Sequence, residues 1–117
     1  MPDQAAASLL TLDIERKGDI AIVLCHGKLV AGVSGTLYAQ VSQLIPGSKR
    51  IIMDLSDLTN MDSLGLGTLV RLYVSAKSAG CSLELTHLGK RIRELLGVTN
   101  LLSVFTIIGE QGIKMGF

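Results

Sequence analysis

The chain has 117 residues, 48% of them hydrophobic, and 11 basic against 10 acidic side chains give a net charge of +1. That length and apolar content suit one packed domain and exclude both a second core and global disorder. Near-neutral charge, with two Phe, two Tyr and no Trp, argues against nucleic acid, which calls for a basic face or aromatic stacking platforms.

The two cysteines, Cys25 and Cys81, each lie in or beside an apolar run. They read as buried free thiols in a reducing compartment, and nothing demands a bridge between them. The opening MPDQAAASLL carries an Asp and no Lys or Arg, so the basic start of a secretory signal is missing. No apolar run approaches the ~18 residues of a membrane span. The expectation is a cytoplasmic protein without membrane insertion.

In chain order, residues 1–8 are Ala-rich and read as a flexible leader. Leu10, Leu12 and Ile14 alternate with Thr11, Asp13 and Glu15, the pattern of a half-buried strand. Lys17-Gly18-Asp19 is a turn, and residues 20–25 form a second, nearly all-apolar strand, so the two read as a hairpin. His26-Gly27-Lys28-Leu29 is expected to leave the sheet. Ser34 is the expected N-cap of a helix over residues 36–45, buried through Leu37, Val41, Leu44 and Ile45 and stopped by Pro46-Gly47.

Residues 50–55 make a third strand, followed by a polar loop over 56–61. Asp62-Ser63 then opens an amphipathic pattern over residues 64–79, with Leu66, Leu69, Val70, Tyr73 and Ala76 at helical spacing and Gly80 after it. Residues 81–86 are a fourth strand with Leu83 and Leu85 pointing one way, and a short helix over 90–96 ends at Gly97. A fifth strand covers 102–107, and the tail 109–117 has no assignable structure. The fold class is α/β. A mixed, mostly parallel sheet of about five strands opens as a hairpin and then alternates with helices, packed mainly on one face or split between both. The domain spans residues 9–108.

Asp62-Ser63 is the chain's central feature: a hydroxyl at the mouth of a helix and the carboxyl end of a strand. Free backbone N–H groups and the positive end of the helix dipole meet there, which suits a phosphate carried by a ligand or attached to the serine. A dinucleotide reading of Gly65-Leu66-Gly67 fails because Val70 stands where the third glycine is needed. Close packing explains the glycines equally well. Gly27-Lys28 lacks the earlier glycine and the following Ser or Thr of a phosphate-binding loop. Cys25, His26, Cys81 and His87 lack metal-ligand spacing, so no metal and no cofactor are expected. Ser63 as a hydrolytic nucleophile lacks the glycine before it, since Met61 is there, and no histidine has the context of a base. Lys90, Arg91 and Arg93 read as the solvated face of a helix. Asp62 alone could simply be the N-cap of the helix.

The run IMDLSDLTNMDSLGLG, residues 52–67, resembles the signature of the STAS family, the sulphate-transporter and anti-sigma-factor-antagonist domains, through Met61, Asp62, Ser63, Gly65, Leu66 and Gly67. Gly27-Lys28-Leu29 matches the family's Gly-x-Leu after the hairpin, and AGCSLELTHLGKRIRELLGVTNLLSVFTI resembles its last strands and helix. The chain departs from the family where Val30 replaces an Asp, Leu64 a Ser or Thr, and Asn60 an aromatic or apolar residue. The resemblance implies a non-enzymatic partner-switching module. Ser63 would be phosphorylated by an anti-sigma factor that is also a serine kinase. A serine phosphatase would restore the unmodified form, which binds the anti-sigma factor and frees the sigma factor. The implied partner-binding surface is Leu29, Val30, Asn60, Met61, Asp62, Ser63, Leu64, Gly65, Leu66 and Gly67. Two other roles compete: a STAS scaffold or subunit of a transport or signalling complex, and a nucleotide-binding protein. Homodimerisation is left open, and the apolar tail with Ile113, Met115 and Phe117 could pack on its own domain or against a partner.

Overall fold

The computed structural model describes residues 9–100, 105–108 and 114–115, the last two segments after Phe105 at the level of backbone. The leader at 1–8, the start of the fifth strand at 102–104 and most of the tail at 109–117 lie outside the described residues.

Strands β1 (Leu10–Lys17) and β2 (Ile20–Leu29) pair antiparallel, with Leu12 opposite Cys25 and Ile14 opposite Val23. Helix α1 (Ser34–Ser42) and a 3-10 turn (Ile45–Gly47) lead to β3 (Arg50–Met61). Helix α2 (Ser63–Ser78), β4 (Ser82–Thr86) and α3 (Lys90–Val98) follow. Short strands β5 (Thr106–Ile108) and β6 (Lys114–Met115) close the sheet. Spatial order equals chain order, β1-β2-β3-β4-β5-β6, with β2 to β5 mutually parallel and β6 antiparallel to β5.

Three crossovers that each advance one strand in the same direction, with the usual right hand, put all three helices on one face. Burial agrees. Register rows Ala21–Ile51–Leu83 and Val23–Met53–Leu85 are almost entirely shielded, as are Leu37 and Val41 of α1, Leu69, Leu72 and Ala76 of α2, and Ile92 and Leu96 of α3. Ile22, Leu24 and Ile52, on the alternate positions, are only half-buried and line the other face. Each fully buried Leu or Ile contributes about 1.5–3 kcal/mol through removal from water. Tyr38 of α1 bonds Ser75 of α2 at 3.2 Å, and the Arg71 guanidinium lies 4.3 Å from the Tyr38 ring centre.

Several sequence expectations need correction. β2 does not leave the sheet at His26 but pairs through Leu29, and the expected loop 56–61 is the second half of β3. The polar composition of 56–61 hid a strand because Ser56, Asp57 and Thr59 are exposed while only Leu58 and Met61 are buried. Ser34 is the first residue of α1, not its cap; Val33 stands at the N-cap and makes no side-chain bond. α1 ends at Ser42, with Leu44 and Ile45 buried from the following turn. α3 runs through Gly97 to Val98, and Asn100 adopts the left-handed φ of 61° expected of that glycine. The tail contributes β6, so the sheet has six strands where about five were expected.

Between Leu24 and Leu29, β3 carries two more residues than β2. Register shifts occur between Leu24 and His26 and between Gly27 and Lys28. Such bulges bend a strand and raise its twist. Gly27 has φ 106°, and a Cβ there would strike the Leu9 carbonyl oxygen, so only glycine fits between the hairpin strands. Thr59 Oγ1 donates to the Gly27 carbonyl at 3.0 Å, filling the bulge.

Candidate functional site

β3 delivers the chain to Asp62 in extended conformation, φ −105° and ψ −177°, and α2 begins at Ser63. Asp62 is the N-cap. Its Oδ1 accepts from the Gly65 amide at 2.8 Å, and its Oδ2 accepts from the Ala31 amide at 2.9 Å. Its own amide donates to the Leu29 carbonyl at 3.2 Å. One carboxylate therefore ties together the end of β2, the loop before α1 and the first turn of α2. The Gly65 and Ala31 amides hold the Asp62 carboxyl below the usual carboxylate range.

Gly65 explains the tight seat of the helix. A Cβ there would strike the Leu29 carbonyl oxygen and crowd the Leu29 side chain. Gly67 faces open space, so close approach accounts for the first glycine and not the second. Thr68 Oγ1 donates to the Leu64 carbonyl at 3.0 Å, back-bonding within the first turns.

Ser63 is exposed, and among the described residues its hydroxyl bonds no protein group. Leu64 is 61% exposed, a large apolar side chain held outward beside it. Gly67 is exposed on the next turn, while Val30 and Asn60 are half-buried at the margin. The Asn60 side-chain oxygen accepts the Met61 amide at 2.9 Å. The remaining expected contact residues are interior. Leu29 is 1% exposed, Met61 and Leu66 are 6% exposed, and Gly65 is buried. They support the surface from beneath. Asp62 is half-buried, its carboxylate on backbone amides as the N-cap that the sequence allowed.

Sequence reasoning missed the neighbouring wall. A cleft of about 350 Å³ is lined by Met61 from β3 and by Arg91, Ile92, Glu94, Leu95 and Val98 from α3. Val98 is 84% exposed. Ending the helix at Gly97 removed Val98 from it; the signal was the apolar spacing Leu95–Val98 continuing past the glycine. Lys90 and Arg91 are exposed as expected, and Arg93 is half-buried.

The other reactive groups lie elsewhere. Cys25 and Cys81 are buried free thiols, and no bridge joins them. Burial pushes the Cys25 thiol up to about 12, and burial, aided by Glu84, raises that of Cys81, so neither is an ionised nucleophile at neutral pH. His26 sits between carboxylates, Nδ1 2.7 Å from Asp57 and Nε2 2.9 Å from Asp13. His87 Nδ1 lies 3.4 Å from Asp54 Oδ2 and 3.2 Å from Thr86 Oγ1. Neither imidazole is bonded to Ser63. Among the described residues no three His, Cys, Asp or Glu side chains are grouped to hold a metal ion, and no helix is long and apolar enough to cross a membrane.

What the arrangement offers chemically is an accessible hydroxyl at a helix N-terminus, next to an exposed leucine, on a frame held by the residue before it. A phosphate there would add about −1.5 to −2 charges where the helix dipole favours negative charge.

A family model for the STAS domain matches residues 11–111. A TM1081 homolog of Thermotoga neapolitana, bearing the name of an anti-sigma factor antagonist, is 34% identical over 55 residues, covering 47% of this chain and 49% of that protein. The match thus spans about half the length of that curated relative. The unphosphorylated form of the anti-sigma factor antagonist SpoIIAA superposes with a TM-score of 0.73 at 17% identity, over 86% of this chain and 90% of that one. The phosphorylated form of the Bacillus SpoIIAA superposes with 0.68 at 17% identity, over 86% and 94%.

Proposed function

The chain belongs to the STAS domain family, and from that premise we propose that it is an anti-sigma factor antagonist, a non-enzymatic cytoplasmic switch. Unmodified Ser63 and its surroundings bind an anti-sigma factor with serine kinase activity, which releases the sigma factor. Phosphorylation of Ser63 ends that binding, and a serine phosphatase restores it.

The observation that carries this reading is the division of labour between Asp62 and Ser63. The Asp62 carboxylate ties the first turn of α2 to the loop after β2, whereas the Ser63 hydroxyl bonds nothing among the described residues and faces solvent. A group added to Ser63 thus alters the surface and leaves the frame intact. The names of similar proteins point the same way, since SpoIIAA has solved structures in both unphosphorylated and phosphorylated forms.

Docking at this surface centres on Leu64. Burying an exposed leucine on a partner removes apolar area from water, and a dianion placed beside it opposes that desolvation. The test is capture from host lysate on immobilised Ser63→Ala and Ser63→Asp variants, with circular dichroism of both. The expected result is a kinase-type partner retained by the alanine form and lost from the aspartate form, with identical spectra. Retention by both, or an unfolded aspartate form, contradicts the reading.

A further inference from the structure

His26 lies on the open face of the sheet, between the two bulges that separate the regular part of the β2–β3 ladder from its end at the Ser63 surface. Its ring spans three strands, with Asp57 of β3 at 2.7 Å on Nδ1 and Asp13 of β1 at 2.9 Å on Nε2. In register His26 stands opposite Asp57 and opposite Thr11, so Asp13 reaches it from the diagonal position. Two ring nitrogens each facing a carboxylate is the geometry of an imidazolium. A neutral imidazole has one N–H and one lone pair, and the lone pair would oppose a carboxylate. The two hydrogen bonds, to Asp57 first and Asp13 second, raise the His26 pKa above its ordinary value.

Three residues beyond His26, about 10 Å along an extended strand, the Leu29 carbonyl accepts the Asp62 amide and abuts Gly65. Two residues further, the Ala31 amide is bound by Asp62 Oδ2. Bulged segments are the least constrained part of a ladder because their extra residues are unpaired. Here the His26 ring bonds a carboxylate on either side of that segment.

We propose that His26 is a positioning residue for the Ser63 surface: as an imidazolium held between Asp13 and Asp57, it fixes the bulged ends of β2 and β3 and thereby the seat of α2. The proposal rests on Ser63 as the functional surface, but its test needs no partner or phosphate. The other charged groups near the ring are accounted for. Asp54 on β3 accepts the Ser56 amide and meets His87, and Lys28 on β2 is exposed and makes no ion pair among the described residues. The helices pack on the opposite face.

The sign follows from the raised pKa. The brace is complete below about 6.5, the free histidine value, and is lost as pH rises through the higher folded value. The experiment is a pH titration of the free chain by NMR, following the His26 ring carbons and the amides of Leu29, Ala31, Asp62, Ser63 and Gly65. The expected result is one shared midpoint above 6.5 for ring and amides, lowered for both in Asp13→Asn. The step should persist in His87→Gln, which removes the other histidine. Amides that stay still while the ring titrates overturn the proposal, as does a ring midpoint at or below 6.5. A shared step that vanishes in His87→Gln assigns the effect to the wrong histidine and also overturns it. Wild-type titration decides the matter even if a variant fails to fold.

Discussion

At the scale of single residues, Asp62 and Ser63 share a helix mouth yet differ in every physical respect. The half-buried carboxylate accepts two backbone amides; the exposed hydroxyl has no bond among the described residues. Asp62→Asn keeps one acceptor oxygen but turns an amide N–H₂ toward a backbone donor, so it destabilises the fold in denaturant titration. Because the folded carboxyl titrates below its unfolded value, Asp62 contributes its stability above about pH 3.9 and loses it as pH falls through the folded value. Wild type should therefore lose more stability than Asp62→Asn between neutral and acid pH; equal losses would contradict the capping role. Leu64→Ser should change stability by less than about 0.5 kcal/mol, since the side chain is 61% exposed, while weakening partner capture. Full capture by the serine variant would remove Leu64 from the docking surface. Neither role could be divided between these residues from sequence, because an Asp-Ser pair before a helix reads equally as cap followed by first residue or as two surface groups. The hydrogen bond to Ala31 crosses 31 positions and leaves no local trace.

At the scale of elements, the two glycines of α2 give a paired prediction. Gly65→Ala forces a Cβ onto the Leu29 carbonyl and must displace helix or strand, at a cost of about 1–3 kcal/mol or more. Gly67→Ala meets open space in a helix interior and should stabilise by up to about 1 kcal/mol. Chemical denaturation of both variants checks the opposite signs. The elements most legible in the sequence were those whose apolar residues repeat at one period: the alternation in β1 and the helical stripe of α2. Where polar residues extend an element into solvent, the pattern fails, and so β2 lost its last four residues and β3 its last six. Those extensions carry the bulges and the His26 brace. The Asp13–His26–Asp57 array spans three strands, and the two register shifts beside His26 leave no pattern in the sequence.

At the scale of the molecule, the sheet order equals the chain order, and the helices cover one face. Alternation of β and α predicted this class, and the family signature around Ser63 pointed to the carboxyl end of β3. The sequence left open whether the helices share one face; equal strand and chain order settles it, because each crossover then repeats the same turn. Met61, just before the first turn of α2, also lines a cleft with Leu95 and the exposed Val98 of α3, a neighbourhood that only assembly of the sheet creates. Phosphate on Ser63 would change the charge at one point of the surface. Near-ultraviolet spectra and thermal midpoints of the phosphorylated and unmodified chain should accordingly agree closely, and a large loss of either would show that the modification acts by unfolding.

The central claim is that Ser63 is a phosphorylation switch, and its most direct measurement is site-resolved mass spectrometry of the chain after incubation with ATP and host lysate. The account predicts phosphate on Ser63, and none on the same peptide of Ser63→Ala. Persistent absence of phosphate, or phosphate confined to another residue, would contradict it and leave the domain as an unphosphorylated scaffold or transport subunit.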